Sequence, residues 1–201
     1  MKILAFVPLL LTASVASWSA GADIIKGNTF GDPKAPLLIE VFSDFQCPAC
    51  KVFHDDVLPQ IMRDYVIPGK AYLIYRYFPL DGHQYGRTAA EFVCAAAQIG
   101  KYQQAADALF AHQEKWSVDG KVEQTVNDVL TATEQQKVKS LVKSAPVQAE
   151  INHDLEEGRG VPVQSTPGLL VTYRLKRYPV PGAGGLNYVF LKSFLDDLLK
   201  K

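Results

Sequence analysis

The stretch from residue 37 to residue 50 constrains this chain more than any other. Leu37-Leu38-Ile39-Glu40-Val41-Phe42 is a dense apolar run with β-branched residues, and Cys47-Pro48-Ala49-Cys50 follows after four intervening residues. A run of this kind suits a buried central strand, apolar on both faces. Pro48 suits the first turn of a helix, where its missing N–H costs nothing. The predicted helix spans about 48–65, bent near Pro59. Pro68-Gly69 ends it, and the aromatic-rich segment 71–78 reads as a second strand. Residues 37–78 are therefore expected to form a β-α-β unit with parallel strands and a right-handed crossover.

The rest of the chain changes character twice. Residues 84–158 are rich in alanine, glutamine and lysine, with apolar residues at helical spacing. Four or five helices are expected there, broken near Gly100, Trp116–Gly120, Thr131–Thr133 and Ala145-Pro146. The strand pattern returns at 168–173. A short strand is expected at 177–180, and Pro179 assigns it to a sheet edge. Residues 181–187 are a Gly-rich loop. A closing amphipathic helix covers about 188–200, with Phe190, Leu191, Phe194, Leu195 and Leu198 on one face. Residues 23–36 read as an irregular lead-in with turn signals at Gly31-Asp32-Pro33 and Ala35-Pro36. The predicted fold class is α/β: β-α-β, an all-helical insertion at about 84–158, then β-β-α.

The chain has 201 residues, which fits one domain. Lys2 precedes a short apolar stretch, 3–16, and Ala20-Gly21-Ala22 resembles a cleavage site. Residues 1–22 therefore read as a secretory signal and 23–201 as the domain. The alternative, a retained membrane anchor, needs about 20 apolar residues, more than this run supplies. Lys+Arg and Asp+Glu each number 21, and no basic run interleaves with aromatics, so nucleic acid is not an expected partner. The chain is expected to be a monomer.

Export implies an oxidising, disulfide-permissive compartment, periplasmic or otherwise extracytoplasmic. The chain holds three cysteines, Cys47, Cys50 and Cys94, so one thiol stays unpaired. Cys47 and Cys50 can close a disulfide across one helical turn. Cys47 should sit at the helix N-terminus, where unpaired N–H groups and the dipole favour an anion. A thiolate there is the attacking nucleophile, and the more buried Cys50 resolves. The dipole accounts for roughly one pKa unit, and further lowering needs hydrogen bonds to the sulfur. The expected Cys47 pKa is roughly 4.5–6.5. Thr166-Pro167 opens the later strand, where a cis bond and a free backbone edge would suit an extended peptide. A zinc site is disfavoured because no four-ligand pattern accompanies the pair. A purely structural bridge would close too short a loop to add much.

Ser43-Asp44-Phe45-Gln46-Cys47-Pro48-Ala49-Cys50-Lys51 resembles the active-site segment of the DsbA-like branch of thioredoxin-fold proteins. So do the lead-in 31–36, Phe78-Pro79-Leu80 with His83, and Gly158 through Thr166-Pro167. The resemblance covers nearly all of 27–201. It implies a thioredoxin core with a helical insert and a thiol–disulfide oxidoreductase. It also implies attacking Cys47, resolving Cys50, cis-Pro167, and a substrate surface of Pro48, Ala49, Thr166 and Pro167. No cofactor or metal is expected beyond the redox-active disulfide Cys47–Cys50. Two departures stand out. Ala49 occupies a position where relatives often carry a larger residue such as His or Tyr. Val41 occupies the position, six before the first cysteine, where thioredoxin-like proteins often hold a buried acid. Glu40 is one step off and should face the other side of the strand.

Expected partners are unfolded or reduced exported proteins and a membrane redox partner. The reading favours a dithiol oxidase. A reductase or isomerase using the same pair, and a redox-inactive peptide-binding chaperone, are the alternatives. Cys94 is expected to be a buried small hydrophobe and His54 a packed or capping residue. His83 should order the start of the insert, and Asp44 has either a structural or an electrostatic role. Tyr72, Tyr75 and Tyr77 are expected to pack together on the strand.

Overall fold

A computed structural model describes residues 26–161, 163, 165–180 and 186–201. The signal expected at 1–22 and most of the Gly-rich loop lie outside them. Five strands form one sheet: β1 (Thr29–Phe30), β2 (Leu37–Ser43), β3 (Ala71–Tyr77), β4 (Gly168–Tyr173) and β5 (Lys176–Val180). Their order is β1-β3-β2-β4-β5. β2 pairs parallel with β3 and antiparallel with β4, and the β1–β3 and β4–β5 pairs are antiparallel. β2 is central and buried along nearly its whole length. β1 lies in the segment expected to be an irregular lead-in; two residues are too few for a visible alternation. β5 is an edge strand, and Pro179 sits in it opposite Leu170.

Helix α1 (residues 48–66) links β2 to β3. It alternates α-helical turns, Pro48–Val52 and Leu58–Ile61, with wider π turns, Phe53–Val57 and Met62–Val66. The disturbance expected at Pro59 takes this form. Pro59 has no N–H to bond four residues back, and the adjoining Leu58 N–H reaches Phe53 O, five residues back.

Among the described residues six helices, not four or five, lie between β3 and β4: α2 (Gly86–Gln98), α3 (Tyr102–Ala111), α4 (Gln113–Asp119), α5 (Val122–Asn127), α6 (Ala132–Leu141) and α7 (Ala145–Gly160). The break expected at Trp116–Gly120 falls at its far end, where Gly120 ends α4 and Trp116 lies inside the helix, while a further one-residue interruption, His112, separates α3 from α4. Two expected breaks shift. Thr131 starts a helix as its N-cap, in a capping box with Glu134. Ala145 and Pro146 open α7, because proline fits a first turn. The closing helix is α8 (Tyr188–Leu199), capped by the Asn187 side chain. Of the face expected from periodicity, Leu191, Leu195 and Leu198 are buried, whereas Phe190 is 43% exposed. Among the described residues, no helix is long and apolar enough to cross a membrane.

Register decides what each sheet face carries. Val41 pairs with Tyr75 and Ser43 with Tyr77, so these four share one face. Glu40, Phe42 and Arg76 occupy the other, against α7. There Arg76 donates to Glu40 at 2.8 Å and to Asp154 at 2.8 Å, and the Tyr77 N–H donates to Asp154 at 2.9 Å. Gly158 of α7 lies so close to this face that a Cβ would come within 2.4 Å of Phe78. Tyr72 is on the face opposite Tyr75 and Tyr77, since an odd step along a strand reverses the side chain. The three tyrosines therefore do not form one cluster.

Candidate active site at the start of the first helix

Cys47 caps the N-terminus of α1. Its backbone is extended (φ −79°, ψ 122°), and Pro48 begins the helix. Its carbonyl accepts from the Cys50 N–H at 3.1 Å and the Lys51 N–H at 3.2 Å. Cys50 sits one turn in and is fully buried; Cys47 is 8% exposed. All three cysteines are free thiols in this structure. Pro48 and Ala49 are exposed above the pair.

The bond between Thr166 and Pro167 is cis. The turn brings Thr166 against Cys47, 119 residues earlier in the chain, and the Cys47 thiol meets the Thr166 carbonyl at 3.4 Å. Thus Cys47, Cys50, Pro48, Ala49, Thr166 and Pro167 converge on one corner of the molecule. A groove of about 570 Å³ opens beside them, lined by Ala49, Val52, Phe53, Thr166, Pro167 and Tyr188 among others.

The two sulfurs differ in acidity. Cys47 is lowered from 9.0 to about 5, chiefly by a hydrogen bond from the Cys50 thiol. Burial opposes this. The Thr166 side chain and the Cys50 and Ala49 N–H groups assist. The Thr166 hydroxyl is buried and closes no full hydrogen bond elsewhere, so it remains a spare donor beside the sulfur. Cys50 is pushed far above the ordinary thiol range, first by burial and then by the bond it gives to Cys47. One sulfur is therefore a thiolate at neutral pH, while its neighbour keeps its proton. The dipole alone would not reach this value; the thiol-to-thiolate hydrogen bond supplies most of the remainder.

Several residues hold the loop in this shape. The buried Asp44 carboxylate accepts from the Gln46 N–H at 2.8 Å and the Leu80 N–H at 2.8 Å, and pairs with His83 Nδ1 at 2.6 Å. It fastens the loop before Cys47 to the segment entering the insert. The Gln46 side chain accepts from the Tyr85 N–H and donates to Ser117 O. Gln113 of α4 donates to the carbonyls of Phe45 at 2.7 Å and Cys47 at 3.0 Å. Gln113 carries no local sequence signal: it is one glutamine among many in a helical stretch, and only the tertiary fold brings it to the site. His54 is paired with Asp107 at 2.9 Å and its ring lies tilted against Phe110, 4.5 Å between centroids. Cys94 is fully buried in α2, its thiol pushed up by burial. Glu40, on the far face of β2, is engaged with Arg76 and turned away from Cys50. Among the described residues no group of three or more His, Cys, Asp or Glu could hold a metal ion.

Comparisons with known proteins agree with this geometry. The thioredoxin family profile matches residues 24–177. A relative from Bacillus anthracis named "Probable disulfide bond formation protein D" is 25% identical over 183 residues, covering 87% of this chain and 79% of that protein. The solved structure of oxidised BdbD from Bacillus subtilis superposes with a TM-score of 0.71 at 20% identity, covering 88% of this chain and 95% of that one. The alpha-DsbA1 structure from Wolbachia pipientis gives 0.65 at 21% identity, covering 86% and 90%. A thioredoxin sheet carrying a helical insert, with two cysteines at the head of its first long helix, places this chain in the thioredoxin family, as a DsbA-like thiol–disulfide oxidoreductase.

Proposed function

We propose that the chain is an exported dithiol oxidase that introduces disulfides into reduced or unfolded exported proteins through Cys47 and Cys50. The observation that carries the direction is the Cys47 pKa of about 5. A stabilised thiolate stabilises the reduced form, which makes the corresponding disulfide a stronger oxidant.

In this reading a substrate thiolate attacks Cys47 Sγ of the Cys47–Cys50 disulfide. The new S–S bond joins substrate to Cys47, and the old bond breaks with its electron pair leaving on Cys50 Sγ. A second substrate thiolate then attacks the substrate sulfur of the mixed disulfide, and Cys47 departs as the stabilised thiolate. The substrate is oxidised by two electrons, and the protein is left as a dithiol for a membrane redox partner to reoxidise. The groove beside Pro167 would receive the extended substrate segment, with Pro48, Ala49, Thr166 and Pro167 as its contact surface. Export rests on the sequence of residues 1–22, and so does the extracytoplasmic setting that the oxidation requires.

The reduction potential tests the direction. The protein is expected to be less oxidising than the strongest oxidants of this fold, with a value nearer to about −120 mV than to about −270 mV; one near about −270 mV would instead indicate a reductase or isomerase. Oxidative refolding of a reduced substrate protein should be lost in Cys47→Ser. Unchanged turnover in that variant would remove the mechanism and favour a redox-inactive peptide binder.

A further inference from the structure

Beneath Cys50 lie two hydroxyls whose presence the exchange chemistry above does not explain. Ser43, the last residue of β2, is 1% exposed, and Tyr75 of β3 is 2% exposed. Neither Ser43 Oγ nor Tyr75 Oη closes a hydrogen bond of full geometry in the dithiol state. A buried hydroxyl without a partner costs about 1–3 kcal/mol, so a pair of them beside a reacting atom calls for a role. Both side chains project from the same sheet face as Val41, the face beneath α1. The residue after Ser43 already serves the sulfur: the Asp44 N–H donates to Cys50 Sγ at 3.4 Å. The Ser43 hydroxyl lies within the electrostatic reach of both the Cys50 sulfur and the Tyr75 hydroxyl and favours the anion at each.

We propose that Ser43, backed by Tyr75, is a positioning residue that holds negative charge on Cys50 Sγ during disulfide exchange. The inference rests on the dithiol chemistry of the preceding section. When the Cys47–Cys50 bond breaks, its electron pair leaves on Cys50 Sγ in a fully buried place. The Asp44 N–H supplies one donor. Ser43 O–H turns to the sulfur as a second, and Tyr75 O–H donates in turn to Ser43 Oγ. Burial keeps Tyr75 protonated, so it acts as a donor throughout. The thiolate afterwards takes a proton from solvent. In the reverse step Cys50 loses that proton, attacks Cys47 Sγ, and expels the bound thiol as a thiolate. The groups facing Cys50 are Cys47 on its own helix, Asp44 and Ser43 at the end of β2, and Tyr75 on β3. The Asp44 carboxylate is turned to Gln46, Leu80 and His83. Among the described residues, the Asp55 carboxylate of α1 acts on Tyr75 while paired with Lys51, and Glu40 lies on the other sheet face.

The test is stopped-flow reaction of the reduced full chain, in a Cys94→Ala background, with excess 5,5′-dithiobis(2-nitrobenzoate). Attack by Cys47 releases a first coloured thiolate at a rate set by reagent concentration. Attack by Cys50 on the mixed disulfide releases a second at a rate independent of it. Ser43→Ala should slow the second phase about tenfold or more, the worth of one hydrogen bond to a charged group. It should also move that phase's pH profile upward and leave the first phase in place. Tyr75→Phe should act the same way and more weakly, and Ser43→Thr should restore the rate. A second phase insensitive to Ser43→Ala, or both phases falling together without rescue by threonine, would overturn the proposal. If the unaltered protein shows no second phase at all, the dithiol reading itself fails; if the phase is present and merely insensitive, only the role of Ser43 does.

Discussion

At the scale of single residues the molecule turns on an acidity difference between two sulfurs 3 positions apart in sequence. Cys47 falls to about 5 in the folded dithiol protein, while an unfolded chain returns it to an ordinary value near 8.5. Between those values the unfolded state binds the proton and the native state does not, so the stability of the reduced protein rises with pH across this interval. Below about 5 both states hold the proton and the contribution is gone. Denaturant midpoints of the reduced chain, compared with Cys47→Ser from pH 4 to pH 8.5, should therefore diverge as pH rises. Parallel curves would show that the thiolate is not stabilised. The sequence made these sulfurs visible because nucleophilic redox chemistry requires cysteine, and because a proline after the first one marks a helix start. Pro167 was legible for a similar reason: proline alone opens a strand without an N–H. Ser43, Gln113 and Tyr75 were not, because serine, glutamine and tyrosine serve equally well in ordinary packing, and their roles arise only from what the fold sets against them.

At the scale of elements, β2 does two jobs that its alternation keeps apart. Its odd-numbered residues face α1 and the sulfurs, and its even-numbered ones face α7. Glu40 belongs to the second group, fixed in a buried ion network with Arg76 and Asp154. Burial outweighs the attraction of Arg76 and raises Asp154 to about 6, so the network is costly to disturb. Arg76→Met should leave the buried Asp154 without its cation, and Glu40 with only Arg177 at 3.7 Å, and destabilise the fold by about 3–5 kcal/mol, read from urea denaturation. A loss below about 1 kcal/mol would mean that solvent reaches and screens the pair. The parity of Glu40 was legible from sequence, since a strand reverses its side chain at every step. The partner was not, because Arg76 and Asp154 are separated from it by 36 and 114 positions and no local pattern joins them. Element boundaries inside the insert were likewise blurred. Its alanine-rich stretches are helical throughout, and a one-residue interruption such as His112 leaves the periodicity nearly intact.

At the scale of the whole molecule the helical insert is bound into the active site from several directions. Asp44 reaches the residues entering it, Gln46 reaches Tyr85 and Ser117, and Gln113 of α4 holds the carbonyls of Phe45 and Cys47. The apolar core runs without interruption from β2 and α1 through α2, α3 and Trp116. An insert joined by both a shared core and buried hydrogen bonds should not unfold by itself. Trp116 offers a direct probe: it is 1% exposed in α4, its indole N–H donates to Leu109 O at 2.7 Å, and the other tryptophan of the chain is Trp18. In a Trp18→Phe chain, Trp116 fluorescence therefore reports the insert, and far-UV circular dichroism reports the entire fold. The two guanidinium transitions should coincide in the reduced protein, and both should move together when Cys47 and Cys50 are oxidised. A Trp116 transition at distinctly lower denaturant would show that the insert is a separate cooperative unit, and that its contacts with the Cys47 loop contribute little to holding it there.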